Sequence, residues 1–326
     1  MLKWSAVLAS LWIGMIAAPV SAQQTETGKV VRLIVPFPPG NASDLQARAL
    51  SEQMRKAGAR VAVENRPGAS GAIALEHVLR SPPDGSTILV ASLSPIVITP
   101  ATSKSLPYDV LKDFSGVALL GFNDVVMLAS PKFGPATVAE VVAAARAKPG
   151  SVSYASIGQG TLAHMVMAHM ASKVGVDMQH VPYKGSAQAL PDLAAGDVSL
   201  MLDGMPQSLP HVESGRLKAI ATLGRSRSQF VANLPTVAES GVAQLADVNV
   251  VGWTGVLVSS ATPKAKVAEL NADIIRMMAS PEIQTFMRAQ RLQIYPPHTA
   301  EDFDRQIRVE LDSWRAVAKA AGLEPQ

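Results

Sequence analysis

The 326-residue sequence contains no cysteine. That absence removes disulfides, thiolate nucleophiles, thiolate zinc sites and iron–sulfur clusters together, so stability has to come from core burial. Charge is scarce as well. Charged residues make up 17% of the chain, the formal net charge is +3, and lysine and arginine form no cluster, which excludes an electrostatic footprint for nucleic acid. Aromatic residues, at 5%, offer little surface for stacking bases. Also missing are a Gly-x-Ser-x-Gly elbow, a His-Glu-x-x-His pair and an ordered serine–acid–histidine set, which argues against an exported hydrolase. His164 and His169 are five apart, off the spacing that places two zinc ligands on one helix face.

What is abundant is apolar residue, 48% of the chain, enough for a large core and, at this length, for two domains. The first two dozen residues read as a leader: Lys3 supplies a positive start, residues 6–18 an apolar centre, and Val20-Ser21-Ala22 a small-residue cleavage site. Residues 1–22 are therefore expected to be a signal peptide rather than a membrane anchor. Their removal takes away Lys3 and lowers the charge from +3 to +2. No later stretch is long and apolar enough to cross a bilayer. The mature protein is expected in a bacterial periplasm.

The chain is organised around residues 31–44. Val31, Leu33 and Val35 form an apolar strand, Pro36, Pro38 and Pro39 stop it, and Gly40 permits a turn. Ser43 with Gln46 reads as a capping box, so a helix should start near Asp44. Free amides at a helix start, under the positive end of the macrodipole, form an anion site. A second glycine loop, residues 65–71, and a strand at 87–91 ending in Ser92 and Ser94 extend an α/β pattern with a largely parallel sheet. Residues 152–174 repeat the architecture without the sequence: a strand, the loop Ser156 to Thr161 with Gly158 and Gly160, and a helix. The apolar runs 117–120 and 125–129, with Asn123-Asp124 between them, mark the domain crossing, and residues 252–258 form the returning strand. The expected division is residues 29–126 plus about 251–300 for one domain. The other takes about 127–250 plus the C-terminal helix, about 301–322.

The loop Ser156–Thr161 lacks the third glycine and the early acid of a dinucleotide fingerprint, so no cofactor is expected. The candidate ligand-binding residues are Phe37, Pro38, Pro39, Gly40, Asn41, Ser43 and Asp44 in the first loop, then Ser92 and Ser94. In the second half they are Ser156, Gly158, Gly160, Thr161, His164, Lys184 and Asp203. Asp44 would repel an anion unless it braces loop amides. His164 is equally read as a core histidine, Lys184 as a solvated lysine and Asp203 as a structural acid. Trp253 reads as core rather than as a ligand platform, and the methionines at 165, 167 and 170 as packing.

Pro36-Phe37-x-Pro39-Gly40, Glu64-Asn65-Arg66-Pro67-Gly68, Pro83-Asp84-Gly85, Leu106-Pro107-Tyr108-Asp109, Tyr154-Ala155-Ser156-x-Gly158-x-Gly160-Thr161, His180-Val181-Pro182-Tyr183-Lys184-Gly185 and Leu234-Pro235-Thr236-Val237 occur in that order. This ordered set resembles the solute-binding proteins of tripartite tricarboxylate transporters, the Bug family, over nearly all of the mature chain. The resemblance implies a two-domain α/β periplasmic binding protein, a type II-like Venus flytrap with a ligand cleft between domains. It implies a ligand with carboxylates, held partly by main-chain amides and waters, and delivery to a two-subunit membrane permease; a monomer is expected, and the missing catalytic motifs lead us to expect no enzymatic activity. A ligand-loaded sensor that contacts a receptor kinase is a second role compatible with the same fold. Three departures stand out: Asn41 replaces a glycine, Asn123-Asp124 replaces an apolar crossing, and methionines flank Leu202-Asp203-Gly204.

Overall fold

The computed structural model describes residues 29–323. The signal-peptide assignment lies outside the described residues. The first half runs β1 (Val31–Val35), α1 (Ala42–Lys56), β2 (Val61–Asn65), α2 (Ala72–Leu79), β3 (Thr87–Ser92), a helical segment from Ser94 that ends in α3 (Thr99–Thr102), α4 (Val110–Asp113) and β4 (Phe114–Ala129). Then follow α5 (Val138–Ala147), β5 (Ser153–Ser156), α6 (Leu162–Val174), β6 (Gln179–Pro182), α7 (Ser186–Ala195), β7 (Leu200–Gly204), α8 (Met205–Glu213) and β8 (Lys218–Thr222). The chain returns through β9 (Val251–Ser259) and closes with α9 (Lys264–Met278), α10 (Pro281–Ala289), β10 (Gln293–Ile294) and α11 (Ala300–Ala320). Among the described residues no helix is long and apolar enough to cross a membrane.

Two lobes repeat one plan. In the first, β2, β1 and β3 are parallel neighbours, with β9 antiparallel beside β3; in the second, β6, β5 and β7 are parallel neighbours, with β4 antiparallel beside β7. Each sheet is covered on both faces by buried aliphatic side chains, which is why its strands read as apolar runs. The crossing joins both apolar runs in one element. It is one strand of 16 residues, β4, which pairs with β9 up to Asp124 and with β7 and β8 beyond it. The polar pair does not break it. Asn123 and Asp124 keep their register opposite Gly252 and Val251, and the Asp124 carboxylate accepts from the Ser228 hydroxyl at 2.5 Å.

The N-cap of α1 is also displaced from its expected place. Asn41, extended at φ −78° and ψ 170°, accepts from the Asp44 amide at 2.8 Å. The Ser43 hydroxyl is turned to Thr254 Oγ1, 3.2 Å away. Asparagine ranks with serine as a cap, so the residue already in extended geometry takes the position. Asn41→Ala should cost about 1 kcal/mol in chemical denaturation, whereas Ser43→Ala should leave the helix start intact.

The C-terminal helix, expected with the second lobe, buries its apolar stripe mainly in the first. Phe303, Ile307, Leu311 and Ala318 join the core formed by Ile34, Leu89 and Leu257, while Trp314 touches the cores of both lobes. The reason is a seat of small residues. An added Cβ would lie 2.3 Å from the Phe303 ring at Gly255 and 2.8 Å from it at Gly116, so only glycine lets the ring lie on β4 and β9.

Candidate functional site

Where β1, β3, β4, β7 and β9 meet the starts of α1, α6 and α8, the lobes enclose a cavity of about 100 Å³. Phe37, Asn41, Ala42 and Ser43 line it from the first loop, and Ser92, Leu93 and Ser94 from the end of β3. Ile157, Leu162, Ala163, Asp203 and Gln207 face it from the second lobe, with Asn123, Gly252 and Trp253 on the floor. Pro38, Pro39, Gly40, Gly185 and Ser186 line a connected mouth. Among the described residues no lysine, arginine or histidine lines the cavity.

Its polarity comes from main chain. Both α1, with 15 residues, and α6, with 13, begin at this cavity from opposite lobes. Among the described residues, the first-turn amides of Ser43, Ala163 and His164 have no acceptor, because the first four amides of a helix have no intrahelical partner. Two macrodipoles therefore present positive ends to one space. The lobes also hold each other across it. Ser70 donates to Gln159 O at 2.8 Å, Thr99 to Gly160 O at 3.1 Å, and the Leu162 amide to Ser94 Oγ at 3.1 Å. With its amide oriented to satisfy both groups, Gln207 accepts from Ala42 N at 2.8 Å and donates to Gly204 O at 3.2 Å.

Asp44 does not line the cavity; it ties the first loop together. Burial alone would raise its pKa, but Arg48, the Gly40 amide and Asn65 bond its oxygens at 2.9 Å and together hold it below the usual carboxylate range. Its charge is thereby compensated locally.

The loop that opens α6 is ordered in the same way. The Gly160 amide donates to His164 Nδ1 at 3.1 Å, and the Thr161 hydroxyl to Gly158 O at 2.7 Å. Gly160 has φ +69°, which disfavours any residue with a Cβ, and a Cβ there would lie 2.8 Å from the Thr102 hydroxyl. The Ser156 hydroxyl lies 2.7 Å from His180 Nε2, and the His180 ring stacks between Tyr154 and His164 at centroid distances of 5.1 and 4.0 Å. A serine beside a histidine suggests a nucleophile and its base, but Ser156 is fully buried and lines no part of the cavity.

Of the expected residues, then, Phe37, Asn41, Ser43, Ser92, Ser94 and Asp203 line the cavity and Pro38, Pro39 and Gly40 its mouth. Ser156, Gly158, Gly160, Thr161 and His164 shape the second loop without lining the cavity. Lys184 is exposed and lines neither the cavity nor its mouth, although it precedes Gly185 at the mouth. Sequence reasoning missed Asn123, Gln207 and Trp253 as lining residues. Asn123 carried a signal, being polar at the crossing between two apolar runs. The glycines facing it, Gly204 and Gly252, are where an added Cβ would meet its amide at 2.9 and 3.1 Å.

Burial, with a smaller contribution from His164, pushes His180 down to about 4, and burial lowers His164 as well. Unfolded histidines take up protons near pH 6.5, so the unfolded chain binds more protons between there and about pH 4. Stability is complete above that window and falls as pH drops through it. In His180→Phe, which keeps an aromatic ring in the stack, the loss between pH 6.5 and 5 should be shallower in denaturation curves.

A larger cavity of about 610 Å³ lies behind Trp253, against α11. Its half-buried acid, Glu310, already accepts from Trp253 Nε1 at 2.8 Å and Gln306 Nε2 at 2.7 Å, and among the described residues no free helix start opens onto it.

Residues 46–323 match the model of the tripartite tricarboxylate transporter family receptor. The protein BugT of Bordetella pertussis is 32% identical over 311 residues, spanning 94% of this chain and 93% of BugT. A Rhodopseudomonas palustris protein solved with adipate superposes with a TM-score of 0.85 at 29% identity, over 91% of this chain and 98% of that one. The MatC protein of Rhodopseudomonas palustris, with bound malate, gives 0.82 at 28% identity over 88% and 98%. The periplasmic binding protein BugD gives 0.84 at 29% over 91% and 99%. On fold, length and sequence alike, this chain belongs to the tripartite tricarboxylate transporter receptor family.

Proposed function

We propose that this protein captures a small carboxylate between its lobes in the periplasm and delivers it to a two-subunit membrane permease. The observation that carries this reading is the pair of helix starts, α1 and α6, opening onto one cavity from opposite lobes with unpaired amides and, among the described residues, no lining cation. Such a site attracts an anion without the desolvation cost of a buried guanidinium or ammonium group. A hydrogen bond to a charged group contributes roughly 1.5–3 kcal/mol, and micromolar binding needs about 8 kcal/mol. The unpaired amides of Ser43 and Ala163, with serine hydroxyls and bridging water, are of the right order. Adipate and malate in two neighbouring structures support the class of ligand.

Thermal-shift screening of the mature protein against mono-, di- and tricarboxylates, aromatic acids and amino acids should give a raised melting point for a small acid. Calorimetry should show one site per chain, and the ligand should be recovered unchanged. Failure of every acid to bind, or conversion of the ligand, contradicts the reading. Loss of uptake on deletion separates delivery to a permease from signalling through a receptor kinase.

A further inference from the structure

Outside residues 1–22 the sequence has two tryptophans, Trp253 and Trp314, and both line the cavity of about 610 Å³ against α11. Phe122 and Tyr295 add two more rings, in a chain where aromatic residues are scarce. The volume is that of a small-molecule site, roughly 300–1,000 Å³. Both lobes build the walls: Val166 and Met170 of α6 and the segment 247–250 on one side, β9 and α11 on the other.

The charge in this space has one sign. Among the described residues no lysine or arginine lines it, and its acids are Asp247, paired with Lys173 at 2.6 Å, and Glu310. Both donors to Glu310, Trp253 and Gln306, are neutral, and Gln306 in turn accepts from the Tyr295 hydroxyl at 2.9 Å. Burial raises the pKa of this carboxyl, and the bonds from Trp253 and Gln306, without a cation, oppose the rise. His169 adds no charge at neutral pH, because burial, with Lys173 nearby, lowers its pKa. Each carboxylate oxygen accepts two hydrogen bonds or more, so Glu310 has acceptor capacity to spare.

We propose that this cavity is a second binding site and takes a small organic cation, a quaternary or protonated amine, with the tryptophan rings against its alkyl groups and the Glu310 carboxylate as its counter-charge. Aromatic faces attract such cations, and a half-buried carboxylate without a cationic partner gains one. An anion would be repelled, and a neutral guest would leave that charge uncompensated. The site is separate from the helix-start cavity and does not depend on carboxylate capture.

The test is calorimetry and tryptophan fluorescence on the mature protein at pH 8, titrated with tetramethylammonium, choline and 3,3-dimethylbutan-1-ol, the uncharged carbon analogue of choline. Choline should bind at least tenfold more tightly than the alcohol. Glu310→Gln, which keeps the shape and removes the charge, should weaken choline at least tenfold and leave the alcohol within threefold. Trp314→Leu, which replaces a ring that does not border the helix-start cavity, should weaken choline at least threefold. No saturable binding of either cation at millimolar concentration, equal binding of choline and the alcohol, or choline affinity unchanged in Glu310→Gln overturns the proposal. The wild-type ranking needs no variant, so a substituted protein that fails to fold does not shield it.

Discussion

Ala163→Asp is expected to abolish carboxylate binding and leave the protein folded. Ala163 is the second residue of α6 and lines the cavity, and its own amide is one of the three without an acceptor. A carboxylate in the first turn of a helix is favourable for the helix itself, typically by about 0.3–1 kcal/mol. The same carboxylate stands where the ligand's charge would sit. Two unit charges about 4 Å apart repel by roughly 4 kcal/mol at an effective dielectric constant near 20, which is about a thousandfold in affinity. The new side chain also takes up part of a small cavity. Calorimetry should therefore show no measurable binding of an acid that the wild type binds, while the unliganded protein keeps a cooperative melting transition. Retained binding would move the anion away from the start of α6. Ala163→Ser, which adds a donor without charge, is the control and should bind within a few-fold of the wild type.

Phe303→Ala should destabilise the protein by about 3–5 kcal/mol, the usual cost of removing a buried phenylalanine from a core that closes poorly over the gap. Phe303 is completely buried, meets Trp253 edge-to-face at 5.4 Å, and rests on two glycines of β4 and β9 that have no side chain with which to fill the space. The converse change, Gly255→Ala, should destabilise by about 1–3 kcal/mol, because its methyl group would overlap the ring and β9 is held on both sides by neighbouring strands. The two changes act on one contact, so they should not add: in Phe303→Ala/Gly255→Ala the methyl enters the space the ring has left. Denaturation of the four proteins measures this coupling. Strict additivity would mean that the ring and the glycine do not meet. Trp253 is both the neighbour of Phe303 and part of the cavity floor, so Phe303→Ala should also weaken ligand binding.

Local patterns were legible wherever local physics decides. The span of α6, residues 162–174, agrees with the expected helix, because its apolar period and its terminating Gly175 are properties of neighbouring residues. The first loop was legible because prolines and a glycine restrict the backbone whatever surrounds them. Where two local solutions competed, the sequence could not choose. Asn41 and Ser43 are both good caps, and only the position of Thr254, 211 residues after Ser43, draws the serine hydroxyl away. Asn123-Asp124 stood out at the crossing, since buried polar residues in a strand are costly unless they are paired. Their partners, Ser228 and the space left by Gly204 and Gly252, come from distant parts of the chain.

By itself the sequence determined that two strand–loop–helix units would each place a helix start beside a tight loop, and that no cysteine or cluster of cations would take part. Those are consequences of composition and of short-range backbone restriction. That the two starts open onto one cavity and that Gln207 joins the lobes through Ala42 were decided by tertiary structure. Hydrogen-bond satisfaction and desolvation depend on which remote groups arrive within about 3 Å, a distance set by packing and not by spacing along the chain.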